Sequence, residues 1–238
     1  MWKKGRTEMS ASADAAKQAA ARAAVEYVQD GMLLGLGSGS TVTFFVAELG
    51  ARVAAGLRVA GVPTSERTAA QARSLNIPLA EPDQPIDLAV DGADEVERGT
   101  LRLIKGLGGA LLREKIVAQL ARRFVVVADG SKLVGSLGER APLPVEVVGF
   151  GLAATVRRIA ELGGAPVLRR VGGEVFVTDG GNVVLDCGGF APIADPYSLQ
   201  RHLKAIAGVV ETGLFLELAH EALIAESDGS VSRLIAAR

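Results

Sequence analysis

Four short apolar runs, each closed by a turn of Gly, Ser, Pro or Asp, constrain this 238-residue chain most strongly. They are Met32 to Leu36, Arg58 to Val62, Ile86 to Val90 and Phe124 to Ala128. Each is long enough for a buried strand and too short for a helix. Between them lie segments with few breakers that read as helices: Ser12 to Val28, a stretch ending at Leu49, Glu66 to Leu75, and Ala110 to Ala121. Gly31 stops the first, and Ser65 is placed to cap the third. Strands alternating with helices at this spacing predict a mostly parallel sheet covered on both faces.

The expected class is therefore α/β, Rossmann-like, with a second part of different character. After about Leu137 the pattern changes. Leu143 to Val148 predicts a strand and Leu152 to Leu162 a helix. Val175 to Val177 and Val183 to Leu185 flank a turn at Thr178 to Asn182, a hairpin signal. A helix from Pro196 to Ala205 and a strand from Val209 follow. These elements predict a small α+β, ferredoxin-like domain over 138–211. Residues 1–137 and 212–238 then form the Rossmann-like domain, with 1–10 a loose extension. The end of the chain, Ala222 to Ala225 and Val231 to Ile235 around Ser227 to Ser230, predicts another hairpin.

Composition removes several function classes. Twenty-six basic residues against 27 acidic leave a net charge of −1, so there is no overall basic field for nucleic acid. One cysteine, Cys187, cannot form an internal disulfide or a multi-cysteine zinc site, and is most simply a small buried residue. Two histidines, His202 and His220, offer little for a transition-metal site, and a solvated or core role is expected for both. No run approaches the ~20 apolar residues of a membrane span. The N-terminus lacks a signal-peptide apolar region. The expectation is a cytoplasmic protein with no membrane partner.

Four segments could carry chemistry. Gly35-Leu36-Gly37-Ser38-Gly39-Ser40-Thr41 places a Gly/Ser turn between strand and helix. Exposed N–H groups and the helix dipole bind phosphate there, with three hydroxyls in reach. The glycine spacing is not that of a dinucleotide fingerprint, and no acidic residue follows the second strand. It is not a Walker A loop either. Asp91-Gly92-Ala93-Asp94-Glu95 concentrates carboxylates at a strand end, read as catalytic, as a solvated turn or as a Mg²⁺ site. Lys105-Gly106-Leu107-Gly108-Gly109 precedes Arg113-Glu114-Lys115, which could equally be a surface ion cluster. Asp129-Gly130-Ser131-Lys132 closes the fourth strand. Only seven of the basic residues are Lys, so Lys105 and Lys132 are informative. In a parallel sheet all four segments are expected at carboxyl edges of strands, facing one cleft.

In this order the four segments resemble type A ribose-5-phosphate isomerases. Leu143-Pro144-Val145-Glu146-Val147 and Gly181-Asn182-Val183-Val184-Leu185-Asp186 are similar to that family too, and the likeness runs from about Lys17 to the C-terminus. Leu107 stands where the family often has Gly, so its backbone must avoid positive φ. The resemblance implies an enzyme of the pentose phosphate pathway interconverting D-ribose 5-phosphate and D-ribulose 5-phosphate, homo-oligomeric through the smaller domain, with no cofactor and no metal. It implies Glu114 as the base and Lys105 beside the enediolate oxygen. Asp91 and Asp94 would serve the sugar hydroxyls and ring opening. Ser38, Gly39, Ser40 and Thr41 would hold substrate, with Gly92, Ala93, Gly106, Leu107 and Gly108 around it. Lys132 and Lys17 would face the phosphate. The alternatives are a non-catalytic sugar-phosphate sensor, a dinucleotide-dependent oxidoreductase and, with less support, a sugar-phosphate deaminase.

Overall fold

The computed structural model describes residues 2–226 and 228–236, with side chains described from Asp14 onward. The chain opens with α1 (Trp2–Val25), β1 (Leu33–Leu36), α2 (Ser40–Ala54), β2 (Ala60–Pro63), α3 (Glu66–Ser74) and β3 (Leu88–Asp91). Next come β4 (Glu95–Glu97), β5 (Leu103–Ile104), α4 (Leu111–Leu120), β6 (Phe124–Asp129) and β7 (Leu133–Val134). The middle holds β8 (Leu143–Val147), α5 (Leu152–Glu161), β9 (Ala165–Leu168), β10 (Arg170–Val171), β11 (Glu174–Val175), β12 (Val183–Gly188), α6 (Pro196–Lys204) and β13 (Val209–Thr212). It ends in β14 (Leu214–Phe215), β15 (Glu221–Ala225) and β16 (Val231–Ile235). Helix α1 starts ahead of the expected Ser12 and takes in most of the segment read as a loose extension. Met1 of that segment lies outside the described residues.

The main sheet has the order β16-β15-β6-β3-β1-β2. All its pairs are parallel except the β15–β16 hairpin at the edge. Alternate residues of β6 serve different cores. Val125 and Val127 pack with α1 and α2, whereas Phe124, Val126 and Ala128 pack with α4. Burial on both faces explains why these strands read as continuous apolar runs. The expected cap is present: the Ser65 hydroxyl accepts from the Thr68 N–H at the start of α3.

The smaller domain is a second sheet, β13-β8-β12-β9, entirely antiparallel. With α5 and α6 it reads β8-α5-β9-β12-α6-β13, the split βαβ of ferredoxin-like folds. The hairpin expected between Val175–Val177 and Val183–Leu185 is absent as a ladder. Only a single bridge, Val177 to Val183, joins them. Strand β12 has its two edges taken by β8 and β9, and Glu174–Val175 pairs instead with β10. The turn itself forms, closed by the Thr178 N–H donating to Asn182 O at 2.8 Å. Cys187 is buried in this domain's core, and burial pushes its thiol up to about 12.

A third sheet, β14-β5-β4-β7, joins the two domains. Its strands have two or three residues, and its side chains are shared between cores. Val96, Leu103 and Phe215 face the main core, while Ile104, Val134 and Leu214 face that of the smaller domain.

Candidate active site

At the carboxyl edge of the main sheet lies a cavity of about 990 Å³. Three of the four segments reach it as expected, from the ends of β1, β3 and β6. The fourth does not follow a parallel strand. Lys105 follows β5, which belongs to the connecting sheet, and its N–H donates to Gly213 O at 2.9 Å. The lysine reaches the same cavity from the side of the smaller domain.

The first wall is the turn before α2. Gly39 has φ 113°, and no side chain caps the helix there. The first-turn N–H groups of a helix have no partner inside it, so this end can take an anion. Ser40 and Thr41 line the cavity here. Ser38 lines it too, but its hydroxyl is already engaged. Its Oγ lies 2.8 Å from both Thr64 Oγ1 and Ser65 Oγ. Thr68 Oγ1 also donates to Gly37 O at 2.9 Å. Ser38 thus braces the turn more than it offers a hydroxyl to a ligand. Gly37 is required by contact: a Cβ there would lie 2.2 Å from the Asp91 carboxyl.

The opposite wall is a cluster of buried charges. Asp91, Lys105 and Glu114 are 3%, 2% and 4% exposed. Glu114 is therefore no part of a surface ion cluster. Arg113 turns outward to Glu66, and Lys115 turns inward to Glu211 at 2.9 Å. Lys105 Nζ stands 3.0 Å from Asp91 Oδ2 and 3.3 Å from Glu114 Oε2, and it donates to Gly92 O. Asp91 Oδ1 accepts from the N–H groups of Ser38 (3.0 Å) and Gly92 (2.7 Å). Glu114 Oε2 is buried and accepts no directed hydrogen bond.

One ammonium faces two carboxyls here, and that arithmetic sets the protonation. Each close contact is worth roughly 5 kcal/mol at an effective dielectric near 20. Stripping water from each ion costs several kcal/mol. One lysine therefore holds one carboxylate well and a second poorly. Burial raises Asp91, opposed by Lys105 and by the two backbone N–H donors. Glu114 has no backbone donors. Burial first, and Asp91's charge second, push its carboxyl up to about 8, with Lys105 opposing. Burial alone would lower Lys105, but Asp91, Glu114 and Asp94 outweigh it and hold its pKa above the ordinary value. A raised carboxyl with no backbone donors suits Glu114 to exchanging a proton, and Lys105 stays charged.

Asp94 lines the cavity beside Ala93 and Gly92, and its Oδ2 accepts from the Leu107 N–H at 2.9 Å. Leu107 itself is 43% exposed and lies off the cavity wall. Its backbone avoids positive φ, which falls instead on Gly106 and Gly109. Gly106, Gly108, Lys17 and Lys132 complete the predicted set on the wall. Lys17 is 3.5 Å from Asp14. Lys132 ends a short 3₁₀ turn whose start is capped by Asp129, which accepts from Ser131 N–H at 2.9 Å.

The sequence reading missed Glu226, which lines the cavity after β15. The strand before it was legible in sequence, but its parallel place beside β6, which brings its end to the same edge, was not. Neither histidine comes near: His220 Nδ1 accepts from the Phe124 N–H at 3.0 Å, and His202 sits on α6. Among the described residues, no group of three or more His, Cys, Asp or Glu is arranged to hold a metal ion. Both oxygens of Asp91 are already engaged, which leaves little for a cation shared with Asp94. No helix of the described residues is long and apolar enough to cross a membrane.

A helix-end anion cradle facing a dry acid–base cluster, at the carboxyl edge of a parallel sheet, defines a class: α/β enzymes that hold a small phosphorylated substrate and move its protons. Comparison with known proteins fixes the family within that class. The family described as ribose 5-phosphate isomerase A (phosphoriboisomerase A) matches residues 60–229. A ribose-5-phosphate isomerase A from a Roseiflexus species is 59% identical over 220 residues, 90% of this chain and 94% of that protein. Its counterpart from Gluconobacter oxydans is 52% identical over 217 residues, again 90% of this chain and 94% of the relative. The solved structure of ribose 5-phosphate isomerase A from Methanocaldococcus jannaschii superposes with a TM-score of 0.88 at 41% identity, covering 92% of this chain and 98% of that one. The enzyme from Plasmodium falciparum gives 0.90 at 35% identity, covering 94% and 100%. The chain belongs to the ribose 5-phosphate isomerase A family.

Proposed function

We propose that this isomerase interconverts D-ribose 5-phosphate and D-ribulose 5-phosphate through an enediolate, with Glu114 as the base. One observation carries the reading: a buried carboxyl with an unbonded oxygen stands on the cavity wall, 3.3 Å from an ammonium group. Moving a proton between C2 and C1 needs one base that takes it and gives it back, and positive charge where the oxyanion forms.

The substrate's phosphate lies at the uncapped start of α2, with Lys132 neutralising it. Asp94, facing the cavity, takes the sugar hydroxyls and assists ring opening. Asp91 is occupied by Lys105 and two N–H groups, so it serves to keep Lys105 charged and aimed. Glu114 removes the C2 proton of the open-chain aldose, and the C1 carbonyl oxygen becomes an oxyanion beside Lys105. The O1 oxygen gains a proton, the O2 hydroxyl loses one, and Glu114 returns its proton to C1. Atoms and charge balance without a redox partner. A solved relative, similar at TM-score 0.88 and 36% identity, is described as a D-ribose-5-phosphate isomerase in complex with phospho-erythronic acid. That acid has the size and charge of a ligand this cavity would accept. We also propose that the chain is a homo-oligomer assembled through its smaller domain, which sedimentation of the purified protein tests.

The deciding assay follows ribulose 5-phosphate formation from ribose 5-phosphate with EDTA present. Turnover that Glu114→Gln lowers at least ~100-fold is expected. Full turnover in that variant would remove Glu114 as the base.

A further inference from the structure

We propose that Arg169, outside the cavity, is a positioning residue that sets the direction of the backbone donors in the loop after Lys105. This rests on the isomerase reading of the same site. Residues 105–109 carry the lysine and two glycines of the cavity wall; Lys105 anchors the start of the loop and the Leu107 N–H reaches Asp94, but the turn beyond is closed weakly. One bond closes it, from the Gly109 N–H to Gly106 O at 2.9 Å, with Gly106 at φ 111° and Gly109 at φ 81°. Glycine in such conformations has the most freedom to lose, so a turn of this kind does not order itself.

Arg169 supplies the order from behind. Its Nη1 donates to Gly106 O at 2.8 Å and to Leu107 O at 3.1 Å. Its Nε donates to Asp186 on β12 at 2.9 Å, and Nη2 reaches the same carboxylate. Phe176 stacks below, 5.7 Å from the guanidinium, and also closes on Gly109, where a Cβ would lie 2.2 Å from its ring. The side chain is 10% exposed.

The consequence follows from peptide planarity. In a trans peptide the C=O and the next N–H point in opposite directions. With the carbonyls of Gly106 and Leu107 drawn to Arg169, the N–H groups of Leu107 and Gly108 face away from it. The first is seen to donate to Asp94, and the second belongs to a residue of the cavity wall. A guanidinium can hold two carbonyls and a carboxylate at once, whereas an ammonium lacks that fork. The pairing also gives Asp186, the last residue of the Gly181–Asp186 motif, a task that the proton chemistry does not.

Arg169→Met is expected to lower kcat about tenfold, the worth of roughly one charged hydrogen bond. Inhibition by inorganic phosphate, which reads the far end of the cavity, should change less than twofold. Amide exchange, followed by mass spectrometry, should quicken over 105–109 and stay unchanged at the start of α2. Arg169→Lys should recover only part of kcat. Asp186→Asn should act in the same direction more weakly, and it serves if Arg169→Met does not fold. Unchanged kcat, or unchanged exchange over 105–109, overturns the proposal. So does a loss of phosphate affinity in proportion to kcat, which would mark a general structural role. Absence of isomerase activity in the parent protein would instead sink the reading of the site, and the exchange comparison would still decide the clamp.

Discussion

The two walls of the cavity solve opposite problems. The turn before α2 offers neutral N–H groups and asks for no displaced pKa. It is made from consecutive residues, Gly37 to Thr41, braced from behind by the hydroxyls of Thr64, Ser65 and Thr68 and by Asp91, which accepts from the Ser38 N–H. The facing cluster buries three ionisable groups drawn from the end of β3, the loop after β5 and the first turns of α4. It survives burial only because the charges satisfy one another. Recognition can thus be built cheaply from backbone, whereas proton transfer needs a pKa displaced from its ordinary value, and displacement needs burial.

The sharpest way to break this contrast is Glu114→Gln. It keeps shape and removes the base, so kcat should fall at least ~100-fold with KM little changed. Steady-state kinetics check this. A rise in KM as large as the fall in kcat would merge the two walls into one function.

Next in size is the pH response. As the proposed base, Glu114 must be ionised to act, and burial pushes its carboxyl up to about 8. Below that value kcat/KM should drop about tenfold per pH unit, and above it level off. A profile flat from pH 6 to 8 would show that Glu114 is not raised. The same shift has a stability sign. The folded state keeps a proton that the unfolded chain releases near 4.5, so this group's contribution weakens as pH rises from about 4.5 to about 8.

On the recognition wall, Lys132→Ala should raise KM roughly tenfold, as expected for losing a charged hydrogen bond, and leave kcat in place. A change in kcat alone would move Lys132 to the other wall. Ser65→Ala removes a cap and one member of the hydroxyl group behind Ser38. It should cost about 1 kcal/mol, a fall of roughly 2–4 °C in Tm for a chain of this size, with activity nearly kept. Chelation should have the smallest effect, none on turnover. Loss restored by Mg²⁺ would revive a metal reading of Asp91 and Asp94.

The same contrast explains what could be read in advance. The Gly/Ser turn, the Ser65 cap and the main strands are each announced by neighbours in sequence, and the apolar runs expose them directly. The acid–base residues could be named from their motifs, but their wall could not be placed. Lys105 was expected after a parallel strand because β4, β5, β7 and β14 are too short to show a period. The hairpin at 175–185 failed for a related reason. Turn chemistry predicted the turn correctly, but the strand's partners were chosen by β8 and β9, far away in sequence. The buried state of Glu114 was equally hidden, since Arg113 and Lys115 beside it suggest an exposed face.

The connecting sheet has one further consequence. The backbone of Lys105 is tied to Gly213, and the Gly213 N–H donates in turn to Pro144 O at 2.7 Å. The proposed proton-transfer centre is therefore stitched to the seam where the chain leaves one domain and re-enters the other. Neither domain can melt and leave the centre intact. Heat or denaturant should remove activity, main-sheet structure and smaller-domain structure in one cooperative step.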